Sequence, residues 1–211
     1  LIDSWSFGGG TALMLQIDHR ESFDVDIFVD DPQVLPFLNP WMQGYTLPIW
    51  PDGYQSDGTR ALKIVFEKIG EIDFICAAGL TVSPMQLAKV RGHNVLLETP
   101  AEIIAKKIYY RGSSMQPRDM FDIACVMKVL GGEYVVNALS PFKEECRRAL
   151  SVARRMDPQF AKTVMMSLLY RERFSDIPKQ AQAMATELLE AVCASSDGVT
   201  DPRDNSPDEK A

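Results

Sequence analysis

The sequence predicts an α/β fold (in the broad sense, α+β) built on a mixed sheet and followed by a helical half. Three observations carry this. Phe7-Gly8-Gly9-Gly10-Thr11-Ala12-Leu13 reads as the end of a strand, a glycine turn and the start of a helix. Ala61 to Glu67 and Glu71 to Ala77 read as the strands of a β-hairpin around Lys68-Ile69-Gly70. From Thr99 onward, proline-marked helix starts replace the strand pattern.

A helix from about Thr11 to Ile17 joins the first strand to a second that carries Asp24-Val25-Asp26-Ile27-Phe28. Pro32 to Pro51, rich in Pro, Trp and Gly, reads as a loop-laden connection, and Asp57-Gly58 as a turn. Leu80 to Leu97 would close the sheet with short strands or a short helix. Thr99-Pro100-Ala101-Glu102 is a capping box whose helix runs to Tyr110 and stops at Gly112. A second helix runs from about Arg118 to Leu130 and stops at Gly131-Gly132. Ser140-Pro141 and Asp157-Pro158 start two more, and Ile177-Pro178 starts the last, which ends near Ala194. The expected organisation is an α/β domain over 1–97, a helical domain over 98–194 that contributes to the cleft, and a disordered tail over 195–211.

A chain of 211 residues with 46% hydrophobic residues suits one large or two small globular domains. No apolar run is long enough to span a bilayer, and Asp3 and the early glycine run do not read as a secretory leader, so none is expected. The four cysteines lack Cys-x-x-Cys spacing and only two histidines are present, which argues against a zinc site. Reduced core cysteines and a cytoplasmic setting are the expectation. The net charge of −7 is uneven: residues 1–97 hold 12 acids and 6 bases, residues 98–155 hold 7 acids and 10 bases. A basic half after an acidic one suits a polyanion, triphosphate or RNA, held between them.

Alternate residues of a strand share a face, so Asp24 and Asp26 point one way and Val25 and Ile27 the other. Two adjacent carboxylates repel unless a cation sits between them. Gly9 and Gly10 let a backbone approach a ligand closely, and the helix that starts at Thr11 would aim free N–H groups at an anion. An anion cradle beside a divalent cation is equipment for a nucleoside triphosphate. A third acid comes from the hairpin, where Asp73 lies opposite Ile72 and Phe74 in face. An antiparallel neighbour would bring it beside Asp24 and Asp26. Glu71 shares that face; Asp73 is preferred because it lies deeper in the apolar stretch. Three such acids would hold two Mg²⁺ or Mn²⁺ ions, one on the triphosphate and one activating the attacking hydroxyl.

These motifs resemble the nucleotidyltransferase superfamily that includes DNA polymerase β. The wording Gly-Gly-Thr-Ala-Leu at 9–13, then His19-Arg20-Glu21-Ser22-Phe23-Asp24-Val25-Asp26-Ile27-Phe28, is similar to its AbiEii/AbiGii toxin-type branch. A later stretch agrees: Lys106-Lys107-Ile108-Tyr109-Tyr110-Arg111-Gly112, then Arg118-Asp119-Met120-Phe121-Asp122. The resemblance implies transfer of a nucleoside monophosphate from an NTP to a hydroxyl, with tRNA or another RNA as acceptor and an antitoxin protein as partner. It implies that Arg20 and Ser22 belong to the site; Arg20 would grip phosphate or simply pair with Asp18 or Glu21. It also implies a lysine that reaches the triphosphate. Register favours Lys107, on one helix face with Arg111; Lys106 is the alternative. Asp122 would orient that lysine or meet the base or ribose, although acids in a first helical turn also favour the helix dipole. Arg118 would meet phosphate or pair with an acid. His19 reads as structural.

Rival readings are an Asp-x-Asp glycosyltransferase, a haloacid-dehalogenase-type phosphatase and a non-catalytic nucleotide- or RNA-binding module. The first has no reason for the glycine turn, and the second normally wants Thr or Val where Phe28 stands. The third leaves the costly acid trio unexplained.

Overall fold

A computed structural model describes residues 4–195. The expected tail beyond Ser195 lies outside the described residues. Phe7 lies in the first strand, β1 (Trp5–Gly8), which ends at Gly8. The glycines then turn the chain directly into α1 (Gly9–Ile17), which leads to β2 (Val25–Val29). Pro32 to Pro51 is less irregular than expected. Asp31 caps a 3-10 helix (Pro32–Leu38) and Asn39 caps the short α2 (Pro40–Gln43), each by accepting a backbone N–H. β3 (Gly53–Ser56), β4 (Ala61–Phe66) and β5 (Gly70–Cys76) form a meander, and the last two are the expected hairpin. Leu80 to Leu97 yields a second hairpin, β6 (Met85–Val90) and β7 (His93–Glu98).

The seven strands form one mixed sheet in the order β3-β4-β5-β2-β1-β7-β6. β2 runs antiparallel to β1 but parallel to β5. The expected antiparallel neighbour for Asp73 is therefore corrected. The chain spends β3 and β4 on one antiparallel excursion and returns to β2 in the original direction. Val25, Ile27 and Val29 alternate with Asp26 and Phe28, so one face of β2 is apolar and the other carries the acid. α1 and the 3-10 helix bury the apolar face through Leu13 and Leu35.

Thr99 accepts the Glu102 N–H and starts α3 (Pro100–Arg111), but only half of the capping box forms. The Glu102 carboxylate instead accepts from the Leu80 and Thr81 N–H groups and the Thr81 hydroxyl. α4 (Pro117–Leu130) follows, and Asp119 accepts the Gln116 N–H at its start. An unexpected helix, α5 (Gly132–Leu139), begins after the single residue Gly131, whose φ of 92° suits glycine. The glycine pair reads as a stop, yet Val135 and Leu139, four residues apart, bury one face of a new helix. α6 (Lys143–Arg155), α7 (Pro158–Met166) and α8 (Ala181–Ala194) complete the helical part.

One apolar core joins the two parts of the chain: Phe7 and Leu13 pack with Ile104, Ile108, Phe121 and Leu189. This core fixes α3 and α4 against the glycine turn. The four cysteines are free. Among the described residues no helix is long and apolar enough to cross a membrane.

Candidate active site

The strand register builds the site. Asp26 pairs with Gly8 on one side and with Asp73 on the other, and Asp73 pairs in turn with Lys63. These residues form one row across the same face of the sheet. Asp73, not Glu71, is thus level with Asp26. Asp24 lies immediately before β2, and its carbonyl accepts a short hydrogen bond from the Thr11 hydroxyl. Thr11 therefore ties the helix to the acidic strand, a structural contact.

The glycines are required by what crowds them. Gly9 has φ 67°, and a Cβ there would lie 1.8 Å from Asp26 Oδ2. At Gly8 a Cβ would meet Glu98 Oε2 at 2.2 Å and the Phe28 ring at 2.5 Å. Gly10 faces Ser22 Oγ and Arg20 Nη2, at 3.0 and 3.1 Å from such a Cβ. No side chain caps the first turn of α1.

Asp26 is held among like charges. Burial and the neighbouring carboxylates of Asp73 and Asp24 push its carboxyl up to about 6, against the pull of Lys107 and Arg111. Lys107 and Arg111 lie with Gly9, Gly10 and Asp26 on the wall of one cleft of about 790 Å³. Phe28, Lys106, Glu98 and Tyr110 continue that wall.

Asp122 is placed differently. It is fully buried and is not part of the cleft wall. Its carboxylate accepts Arg20 Nε at 2.8 Å and Nη2 at 3.0 Å, a bidentate pair, and lies 2.9 Å from His19 Nε2. Lys107 Nζ is 3.0 Å from Asp122 and 2.8 Å from Asp119. Despite complete burial, Lys107 and Arg20 hold the Asp122 carboxyl well below the usual carboxylate range. Asp122 is thus placed against Lys107 and Arg20 and away from the cleft wall. Arg20 takes neither Asp18 nor Glu21, because Arg171 binds both of those acids.

Lys106 is the mirror case. It binds Glu98 and Glu102 and lies 3.7 Å from the centroid of the Phe28 ring. Both lysines therefore reach the cleft, each held by its own pair of acids. Arg111 is freer: its side chain is 38% exposed and meets Asp119 at 3.3 Å. Arg118 is exposed on α4, outside the cleft wall, with no ion pair among the described residues. Its expected phosphate contact has no support from this position, because the first turn of α4 directs Asp119 inward and leaves Arg118 outside.

Sequence reasoning misses Glu98 and Lys63. Glu98 is 1% exposed, accepts from Ser6 and Lys106, and keeps Oε2 unpartnered beside Gly8. Lys63 binds both Glu71 and Asp73. The hairpin register around Lys68-Ile69-Gly70 carries the signal for Lys63, since it sets that residue opposite Asp73. Glu98 has only its place before the Thr99 cap as a signal.

Asp24, Asp26 and Asp73 offer oxygen donors, the chemistry that a hard divalent cation requires. The upward shift of Asp26 is what such a cation would relieve. Among the described residues, however, no three His, Cys, Asp or Glu side chains converge to hold an ion. Asp73 is instead drawn 3.0 Å from Lys63.

A mixed sheet with paired aspartates against a glycine turn, closed by a lysine-bearing helix, defines a nucleotidyltransferase fold. The chain belongs to the AbiEii family, described as a nucleotidyl transferase toxin of Type IV toxin–antitoxin systems, whose profile matches residues 1–197. A candidate nucleotidyltransferase from H. pylori shares the fold, with a TM-score of 0.50 at 14% identity over 90% of this chain and 86% of that one. JHP933 from Helicobacter pylori aligns with a TM-score of 0.49 at 14% identity, over 90% of this chain and 83% of that one. No curated protein matches the sequence.

Proposed function

We propose that this chain transfers a nucleoside monophosphate from an NTP to a hydroxyl of RNA, tRNA being the first candidate, with Mg²⁺ or Mn²⁺ as cofactor. The acceptor oxygen bonds to the α-phosphorus and the bond to pyrophosphate breaks. The observation that carries the reading is Asp26, on the wall of the cleft that Gly9, Gly10, Lys107 and Arg111 also line, with Asp73 level with it across the sheet.

Asp24, Asp26 and Asp73, which do not converge on an ion by themselves, would hold the cation only together with triphosphate oxygens, and it would neutralise triphosphate charge and lower the pKa of the attacking hydroxyl. Gly9 and Gly10 leave the backbone bare at the wall, so phosphate oxygens can approach it. Arg111 supplies positive charge toward departing pyrophosphate. Lys107 adds to it, although its charge is already balanced in part by Asp119 and Asp122. Asp122 positions Lys107 and Arg20 and touches no substrate. Family membership supports a toxin role, an antitoxin as partner, and a cytoplasmic setting where NTP and RNA are present. The test is pyrophosphate release from NTP and total RNA with and without Mg²⁺. Release that requires the metal and RNA is expected; a chain that binds NTP without releasing pyrophosphate would instead be a binding module.

A further inference from the structure

We propose that Arg60 reads the nucleobase of the bound triphosphate and selects a base with two adjacent hydrogen-bond acceptors, guanine or cytosine, over adenine and uracil. This rests on the reading of the cleft as an NTP site.

Four cationic side chains line the cleft wall: Arg60, Lys106, Lys107 and Arg111. Three are answered by acids: Lys106 by Glu98, Lys107 by Asp119 and Asp122, and Arg111 by Asp119. Among the described residues the exposed side chain of Arg60 makes no ion pair and no hydrogen bond. Its backbone, by contrast, is fixed. One oxygen of Asp57 accepts the N–H groups of Thr59, Arg60 and Ala61 at 2.9, 2.7 and 2.9 Å, and the Arg60 carbonyl accepts the Cys76 N–H at 2.7 Å. A held turn thus presents an unpaired guanidinium to the cleft.

Position separates Arg60 from the phosphate end. Gly9, Gly10, Lys107 and Arg111 line the cleft with Asp26, in whose row Lys63 is the β4 member. Arg60 precedes Lys63 by three residues, about 10 Å of extended chain. The next row on that face is apolar: Phe28 pairs with Ile75 and Ile75 with Ala61, and all three line the cleft. Tyr110, 48% exposed on the same wall, adds an open aromatic ring, and the charge of Arg60 acts on its hydroxyl. An apolar floor beside an exposed ring suits a flat base, which stacks whatever its identity. Identity is left to polar contact. A guanidinium only donates, from a planar fork, so it fits two adjacent acceptors. Guanine presents O6 and N7, and cytosine O2 and N3; adenine and uracil offer no such pair.

The test is calorimetric titration of the full chain with GTP, CTP, UTP, ATP and inorganic tripolyphosphate, each with Mg²⁺. The wild type should bind GTP or CTP at least tenfold more tightly than ATP and UTP, and those two arms tell which base is read. Arg60→Ala should abolish that gap and leave tripolyphosphate binding unchanged. Arg60→Lys should not restore the gap, because an ammonium lacks the planar fork. Thermal melting of each variant reports folding, and should Arg60→Ala fail to fold, the wild-type preference and its loss in Arg60→Lys decide. A wild type without base preference, an unchanged gap in folded Arg60→Ala, or equal weakening of all four NTPs and tripolyphosphate, as a phosphate contact would give, would each overturn the proposal. Pyrophosphate release is read separately. Release without base preference would sink the role of Arg60 and leave the transferase reading standing. A base preference that depends on Arg60, with no release, would sink the transferase reading alone.

Discussion

Asp26, half-buried on the cleft wall, and Asp122, fully buried, both feel the charge of Lys107, yet their surroundings are opposite. Asp122 is surrounded by partners: Arg20 in a bidentate grip, His19 and Lys107. Asp26 is surrounded by its own kind, with Asp73 across the sheet and Asp24 two residues before it. The first arrangement answers its own charge and holds the helical half to the loop before β2. The second leaves a charge unanswered, which is costly for folding and useful for catching a cation. The difference separates a positioning acid from a ligand-binding one, although both belong to the aspartates that the motifs single out.

The largest expected effect on stability comes from breaking the satisfied centre. Asp122→Asn leaves Lys107 and Arg20 buried without their common counter-charge and should cost about 3–5 kcal/mol, measured by urea unfolding. The wild type should show the matching acid sensitivity. A carboxyl held below its ordinary value contributes stability that is present above about pH 4 and is lost as pH falls through its folded value.

Lys107→Ala should slow transfer by about a hundredfold or more, equivalent to about 2.7–4 kcal/mol in the barrier for a lost charge-stabilising donor. The same variant should lose stability, because Lys107 lies between Asp119 and Asp122 rather than on an open surface. If Lys106→Ala is the crippling change and Lys107→Ala is mild, the other lysine serves the triphosphate.

Asp26→Asn should have the opposite sign. Folding raises this carboxyl from 3.8 to about 6. The folded chain therefore binds more protons between those values, and stability falls as pH rises from about 4 to about 6. Removing the charge should stabilise the protein at neutral pH by roughly 2 kcal/mol, and the gain should vanish near pH 4. Unfolding curves at both pH values check it; a variant less stable than wild type at neutral pH would remove the contrast between the two aspartates. The smallest effect is expected at Arg118. Exposed and outside the cleft wall, it should change stability by no more than about 0.5 kcal/mol when replaced by Ala, with little change in transfer.

The sequence makes the Asp26 centre legible because its parts are local. A glycine turn, two acids at alternate positions and a hairpin acid are each read within a few residues, and the sheet register then aligns Asp73 with Asp26. The Asp122 centre is not legible in the same way. His19 and Arg20 meet Asp122 across about a hundred residues of sequence, and only the packing of α3 and α4 onto α1 brings them together. The same holds for Lys106 and Lys107. Helical spacing puts them on different faces, but which acids receive each depends on how α3 meets β7 and α4. α5 escapes detection because its glycine start imitates a stop, and the parallel direction of β5 depends on an excursion that no local pattern records.

The most direct test of the central claim, that Asp26 is kept unsatisfied for nucleotidyl transfer, uses each NTP labelled at the α-phosphate, with Mg²⁺ and total RNA. Wild-type protein and folded Asp26→Asn are compared side by side. The account predicts label covalently attached to RNA with wild type and none with Asp26→Asn. Equal labelling by the variant would contradict it.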